Sequence, residues 1–165
     1  MRRTLFNPLL NERAEVEGVF LVGLNGLALS AGTRTTRYGL FDGLALLANV
    51  AWWNNLPPYG TMLISGVHRQ TYAGNLPVIT LARRIVQPEN PSRTLGVFWV
   101  DIRLERLAEI ARRVRLGRTG YLCILNSQGQ VIYHPETDLI GKPLKLPFFH
   151  KLQNGNGYRF LVKVN

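Results

Sequence analysis

Cysteine is nearly absent from the 165 residues: Cys123 stands alone. An internal disulfide is therefore excluded, and with it a small cross-linked scaffold, so the redox compartment stays open. Cys123 falls within the apolar run Tyr121-Leu122-Cys123-Ile124-Leu125, where a small buried hydrophobe is the expected role rather than a nucleophile. Long hydrophobic runs are missing too. No stretch approaches the roughly 18 apolar residues that a membrane span needs. The opening Met1-Arg2-Arg3-Thr4 is basic but lacks the apolar core of a signal peptide. A membrane anchor is thus expected outside these residues.

The groupings that carry catalysis are also lacking. Three histidines, His68, His134 and His150, are spread along the chain without metal-ligand spacing. No glycine-rich phosphate loop leads into Lys-Ser/Thr, and no Gly-x-Ser-x-Gly elbow occurs. The expectation is a non-enzyme with no cofactor and no metal. Acidic residues are few, ten against twenty Lys and Arg, for a formal net charge of +10. Sixteen of those twenty are Arg, scattered singly or in pairs such as Arg83-Arg84 and Arg112-Arg113. Nucleic-acid binding calls for a dense basic stripe interleaved with exposed aromatics, so nucleic acid is not expected as a partner. A basic surface also suits a domain facing the anionic outer side of a membrane.

What is present is a foldable chain, 46% hydrophobic and 18% charged. Its length accommodates one full module and part of a second. Leu5 to Glu15 reads as the tail of an amphipathic helix. Val19 to Val22, the turn Asn25-Gly26 and the return Leu27 to Ala31 read as a hairpin. Phe41 to Trp53 reads as a short helix stopped by Leu56-Pro57-Pro58. Strands are expected at Thr61 to Val67, Pro77 to Val86 and Thr94 to Asp101, with Gln87 to Ser92 as a turn, giving an antiparallel sheet. Asp101 stands where a cap belongs before a helix from Ile102 to Leu116, with Leu107, Ile110, Ala111 and Val114 on its apolar side. Glu109 is spaced to pair with Arg113, and Gly117 ends the helix. Gly120 to Leu125, the turn Asn126 to Gly129, and Gln130 to Tyr133 then repeat the plan of the first hairpin. Tyr158 to Val164 reads as one more strand.

The stretch Gly96-Val97-Phe98-Trp99-Val100-Asp101-Ile102-Arg103-Leu104 resembles the strand-to-helix junction of double Cache sensor domains. The resemblance continues through Leu116-Gly117-Arg118-Thr119-Gly120-Tyr121, Asn126 to Gly129, Val131-Ile132-Tyr133-His134-Pro135 and Leu139-Ile140-Gly141-Lys142, in the family's order. Trp52-Trp53 stands where the family usually shows Trp-Tyr, and Thr80 to Ile85 resembles one of its sheet strands. The resemblance implies an α+β fold of PAS-like antiparallel sheets with flanking helices. A membrane-distal module would occupy residues 1–115, and a membrane-proximal module, cut short, residues 116–165. It also implies extracytoplasmic small-molecule sensing for a transmembrane bacterial receptor such as a histidine kinase or chemoreceptor, working as a homodimer and held by membrane helices outside this chain. The alternative is a cytoplasmic PAS-like regulatory module whose basic surface meets nucleic acid or a partner protein.

The candidate ligand-binding residues are Trp52, Trp53, Tyr59, His68, Tyr72, Arg83 and Asp101. In Cache domains that bind amino acids, an Arg two residues before the Trp-Tyr pair holds the carboxylate and the acidic residue of the junction holds the ammonium. Here the Arg position is Val50, while the acidic position is kept as Asp101. A carboxylate buried without a cationic partner is costly, so a free amino acid is disfavoured. Trp52, Trp53, Tyr59 and Tyr72 are candidates to stack on a ligand or to take a cation over a ring face; core packing is the competing role. His68 and Arg83 either face the same cavity or lie on the solvent side of a strand. An inward Arg83 would select an anion such as an organic acid. His134 is expected to make a structural hydrogen bond at a strand end.

Overall fold

The computed structural model describes residues 12–32, 43–48, 50, 52–70, 75–114, 116–117, 120–126, 128–144 and 160–163. Most of the expected helix from Leu5 to Glu15 lies outside them. Among the described residues, nine strands form two sheets in which every pairing is antiparallel. The class is α+β, sheet-rich with a flanking helix, as expected.

The first hairpin joins β1 (Val16–Gly23) to β2 (Ala28–Gly32). Its turn is built by Asn25, whose Oδ1 accepts the Leu27 N–H at 3.1 Å, and by Gly26 at φ 85°. Of the helix expected from Phe41 to Trp53, α1 covers Gly43–Ala48 among the described residues, and its expected end is instead a 3-10 turn over Trp53–Asn55. Pro57 explains the stop, since the residue before proline is driven from helical geometry and Leu56 is extended at φ −61°, ψ 123°. Two short edge strands, β3 (Leu63–Ile64) and β4 (His68–Arg69), replace the single one expected, and both pair with β5 (Pro77–Gln87). β6 (Asn90–Arg103) is longer than predicted at both ends. Gln87 pairs with Asn90, so the connection shrinks to Pro88-Glu89.

At its other end β6 runs through Asp101 because it has a neighbour on each side: Ile102 pairs with Val16 of β1 and with Ile79 of β5. Asp101 is therefore a strand residue and not the helix cap that the local sequence predicted. The following helix, α2 (Leu104–Arg112), starts after Arg103, which makes no side-chain capping bond. The Arg103 side chain pairs with the fully buried Glu17 carboxylate, and its N–H donates to the Glu15 carbonyl at 2.9 Å. This anchors the helix start to β1, whose register shifts between Val16 and Gly18.

α2 is shorter than the predicted span, and its buried stripe differs. Ala111 is buried and Ala108 packs beside it, whereas Ile110 is 51% exposed and Val114, beyond the helix, 43%. Neighbouring helix positions are rotated by about 100°, so a stripe on Ala108 and Ala111 leaves Ile110 to solvent. Glu109 pairs with Arg106 at 2.7 Å, one turn back, rather than with Arg113. Ala111 packs on Leu122 and Tyr133 of the second sheet. That sheet has the order β8-β7-β9, from β7 (Tyr121–Leu125), β8 (Val131–Tyr133) and β9 (Phe160–Lys163). Its hairpin uses the same device as the first: Asn126 Oδ1 accepts the N–H groups of Gln128 at 3.0 Å and Gln130 at 2.9 Å, with Gly129 at φ 79°.

The larger sheet has the order β2-β1-β6-β5-β3, with β4 also on β5, and a cluster on each face. One contains Phe20, Val22, Ala28, Ala82, Val97 and Trp99, covered by Leu47, Trp52 and Leu56. The opposite one contains Val16, Val19 and Ala31, with Leu21, Phe98, Val100 and Ile102 against them.

Candidate ligand-binding site

Side chains alternate between the faces of a strand, so the pairing register decides which ones meet. On β6, Trp99 and Asp101 are two apart and share a face. On β5, their partners are Ala82 and Thr80, and Leu63 of β3 lies opposite Ala82. This is the inner face, covered by the segment from α1 through Leu56. Trp99 is its centre: Phe20 stacks on it with centroids 4.7 Å apart, and Trp52 meets it edge-on at 5.4 Å.

Beyond the aromatic cluster the same face turns polar. Asp101 is 3% exposed and Thr80 is fully buried. Burying a carboxylate demands donors, and the Thr80 hydroxyl donates to Asp101 Oδ1 at 2.5 Å. A hydroxyl has one proton. With that proton directed at Asp101, Thr80 Oγ1 turns its lone pairs to His68 Nε2, 3.3 Å away. His68 Nδ1 sits 3.3 Å from Ser65 Oγ and 3.2 Å from the Gly66 carbonyl. Ser65 Oγ accepts the Thr80 N–H at 2.8 Å and donates to the Gly66 carbonyl at 2.8 Å. The result is a bonded chain, Asp101 to Thr80 to Ser65 to Gly66, with the His68 ring lodged against it.

Of the seven residues singled out from the sequence, Trp52, His68 and Asp101 come to this face, with Trp53 half-buried beside Trp52. Trp52 is 8% exposed and belongs to the core cluster. Arg83 does not join them. It pairs with Phe98, on the opposite face from Trp99, and lies exposed with its guanidinium 5.8 Å from the Tyr59 ring centroid. Tyr59 is itself 53% exposed. Tyr72 lies outside the described residues. Val50 packs against the inner cluster, so an apolar side chain fills the position where the resemblance expects an arginine.

Sequence reasoning missed Thr80, Ser65 and Arg84. Arg84, not Arg83, shares the face of Trp99: its Nε donates to the Pro57 carbonyl and its Nη2 to the Leu56 carbonyl, each at 2.9 Å. It ties the covering segment to the sheet. Strand parity was the available signal, since Thr80, Ala82 and Arg84 alternate with Leu81 and Arg83 on one strand.

His134 Nδ1 accepts the Glu136 N–H at 3.0 Å, and its ring meets Tyr121 edge-on at 4.9 Å. Burial pushes the Cys123 thiol up to about 11, which keeps it protonated and unreactive at neutral pH. Among the described residues no three His, Cys, Asp or Glu side chains gather as a metal site. None of the described helices is long and apolar enough to cross a membrane.

Two antiparallel sheets joined by a helix, with a covered aromatic and acidic face on the larger, define a PAS-like sensor-type fold. A family model for the Cache domain matches residues 3–164. The chain belongs to the Cache domain family.

Its relatives include the methyl-accepting chemotaxis protein McpG of Pseudomonas putida, 36% identical over 53 residues, which are 32% of this chain and 8% of that protein. Among solved structures, the ligand-binding domain of the Pseudomonas aeruginosa amino acid chemoreceptor PctB, in complex with L-Arg, superposes with a TM-score of 0.60. Its identity is 21%, over 83% of this chain and 54% of that one. An extracellular domain assigned to a histidine kinase, mmHK1S-Z2, also reaches 0.60, at 14% identity over 91% of this chain and 64% of the other. The chain thus spans between half and two thirds of these solved domains and a small part of the chemotaxis protein.

Proposed function

We propose that this chain is the small-molecule input domain of a transmembrane bacterial signal receptor. Residues 1–115 form its membrane-distal module and residues 116–165 part of the membrane-proximal one, both facing outward from the cytoplasmic membrane. The ligand is captured on the inner face of the six-stranded sheet, among Trp52, Trp53, His68 and Asp101, with Thr80 as an added member. In the whole receptor two such domains pair, and ligand binding biases one of two module arrangements; only a ligand that binds them unequally can do so.

One observation carries this reading. A buried carboxylate, held by Thr80 and reached through His68, lies on the same covered face as three tryptophans. Carboxylate and aromatic rings together favour a cationic ligand. An anionic one would need a guanidinium at the site; of the two described arginines next to it on β5, Arg83 is paired across from Phe98 on the other face and Arg84 donates to Leu56 and Pro57. An amine-bearing metabolite therefore fits better than an organic acid, and Val50 argues against recognition of its carboxylate. The PctB domain, solved with L-Arg, is consistent with an amine.

A thermal-shift and calorimetry panel of the twenty L-amino acids, their decarboxylated amines, polyamines and simple organic acids tests this. An amine at a hundred times its dissociation constant is expected to add about 2.7 kcal/mol of stability. The Asp101→Asn variant should lose that gain while still folding. Stabilisation by organic acids alone, or by no compound in the panel, would overturn the reading.

A further inference from the structure

The bonded chain that leaves Asp101 does not end within its own sheet. Its last link, Gly66, meets Gln130 at the end of the β7–β8 turn: a Cβ placed on Gly66 would stand 1.9 Å from Gln130 Oε1 and 3.0 Å from its Cδ. The carboxamide of Gln130 therefore rests directly on the Gly66 α-carbon, a closeness that only glycine permits. Gln130 is itself held. Its Nε2 donates to the Gly141 carbonyl at 2.8 Å, its Oε1 lies 3.4 Å from Asn126 Nδ2, and its N–H donates to Asn126 Oδ1 at 2.9 Å.

We infer that Gln130, which leads into β8 of the three-stranded sheet, is a positioning residue for the candidate ligand site on the six-stranded one. It seats Gly66, and the Gly66 carbonyl and Ser65 hydroxyl in turn orient His68 and Thr80 toward Asp101. The functional meaning of this contact rests on the proposed sensing role, whereas the contact itself does not. If geometry at Gln130 alters geometry at Asp101, the reverse must hold by the same free energy. A ligand that moves Asp101 or His68 then has a direct polar route to the Gly141 turn, whose N–H donates to the Val131 carbonyl of β8 at 2.8 Å, beside the packing route through α2. The two ends are linked by a continuous set of hydrogen bonds and one close contact, the kind of contiguous network that can carry such coupling.

The 165-residue chain, labelled with nitrogen-15, permits a test by nuclear magnetic resonance without any ligand. Two signals report on the site: the ring nitrogens of His68, and the exchange rate of the Thr80 amide, whose N–H donates to Ser65 Oγ. Gln130→Ala is expected to shift the His68 ring signals and to speed Thr80 exchange roughly tenfold, as for the loss of one buried bond. Gln130→Met, which keeps the length but not the amide, should produce the same change in smaller measure. Gly66→Ala approaches from the other side: its methyl should displace the carboxamide, moving both the Gln130 side-chain amide signals and the His68 ring. Leu139→Ala, in the core cluster of Cys123, Leu125 and Val131, controls for simple loss of stability in the second sheet and should leave His68 unmoved.

Unchanged His68 and Thr80 signals in folded Gln130→Ala and Gly66→Ala would overturn the inference. So would equal shifts in Leu139→Ala. No ligand enters these readouts, so a silent binding panel counts against the sensing role alone, and unmoved resonances count against the Gln130 contact alone.

Discussion

Gly96 and Asp101 lie five residues apart on one strand, and each depends on what stands beside it. A Cβ on Gly96 would come within 2.3 Å of the Val22 carbonyl oxygen and 3.0 Å of the Gly23 α-carbon. Both are backbone atoms of β1, with no flexible end to swing away, so Gly96→Ala must push two central strands apart. A loss of about 2 kcal/mol or more is expected, read from the urea midpoint at constant slope. Cys123 yields a prediction in pH. Its thiol moves from an ordinary 9.0 up to about 11 because burial disfavours the thiolate. The folded state thus holds its proton more tightly than the unfolded state. The associated stability is complete below pH 9 and is lost as pH rises through about 11. Urea midpoints measured from pH 8 upward should fall over that window, and Cys123→Ala should remove that part of the fall. At this scale Cys123 was legible as a buried hydrophobe from its neighbours in the chain, whereas those of Asp101 suggested a helix cap and the structure has a buried strand residue. The hydroxyl that holds Asp101 was not legible, because Thr80 is twenty-one positions away and becomes a neighbour only through pairing.

At the scale of elements, hairpins were readable and ends were not. Asn25-Gly26 and Asn126 to Gly129 act locally, since an Asn side chain bonds the backbone two residues on and glycine takes the positive φ. Both turns therefore fell where the sequence predicted them. The end of β6 is different in kind: pairing with β1 and β5 extends it into what reads as a capped helix. α2 shows the same limit. Its apolar residues span more of the circumference than its neighbours cover, so periodicity could not choose between Ile110 and Ala111. Ile110→Ser is expected to change stability by no more than about 0.5 kcal/mol, as at an ordinary surface position. Ala111→Asp places an unpaired charge against Leu122 and Tyr133 and should cost about 3 kcal/mol or more. Chemical denaturation of the two variants separates the faces of the helix. Arg83 and Arg84 repeat the lesson on a strand: adjacent, identical in type, and sorted to opposite faces by register alone.

For the molecule as a whole, composition and motif order carried the class. One cysteine excluded an internal disulfide, and the ordered Cache-like motifs carried the family. These are properties of near neighbours along the chain, so the chain alone determined them: where it turns, which runs are apolar, that two hairpins share one plan, and that it is a Cache domain. The tertiary structure alone decided which side chains share a face and how far each element runs. It brought Thr80 and His68 to Asp101, turned Arg83 outward and Arg84 inward, and set Gln130 against Gly66. The physical reason is that a strand has no inside until its partners are chosen. Pairing register and the packing of one sheet's loops on the other are long-range contacts, which no local pattern of residues encodes.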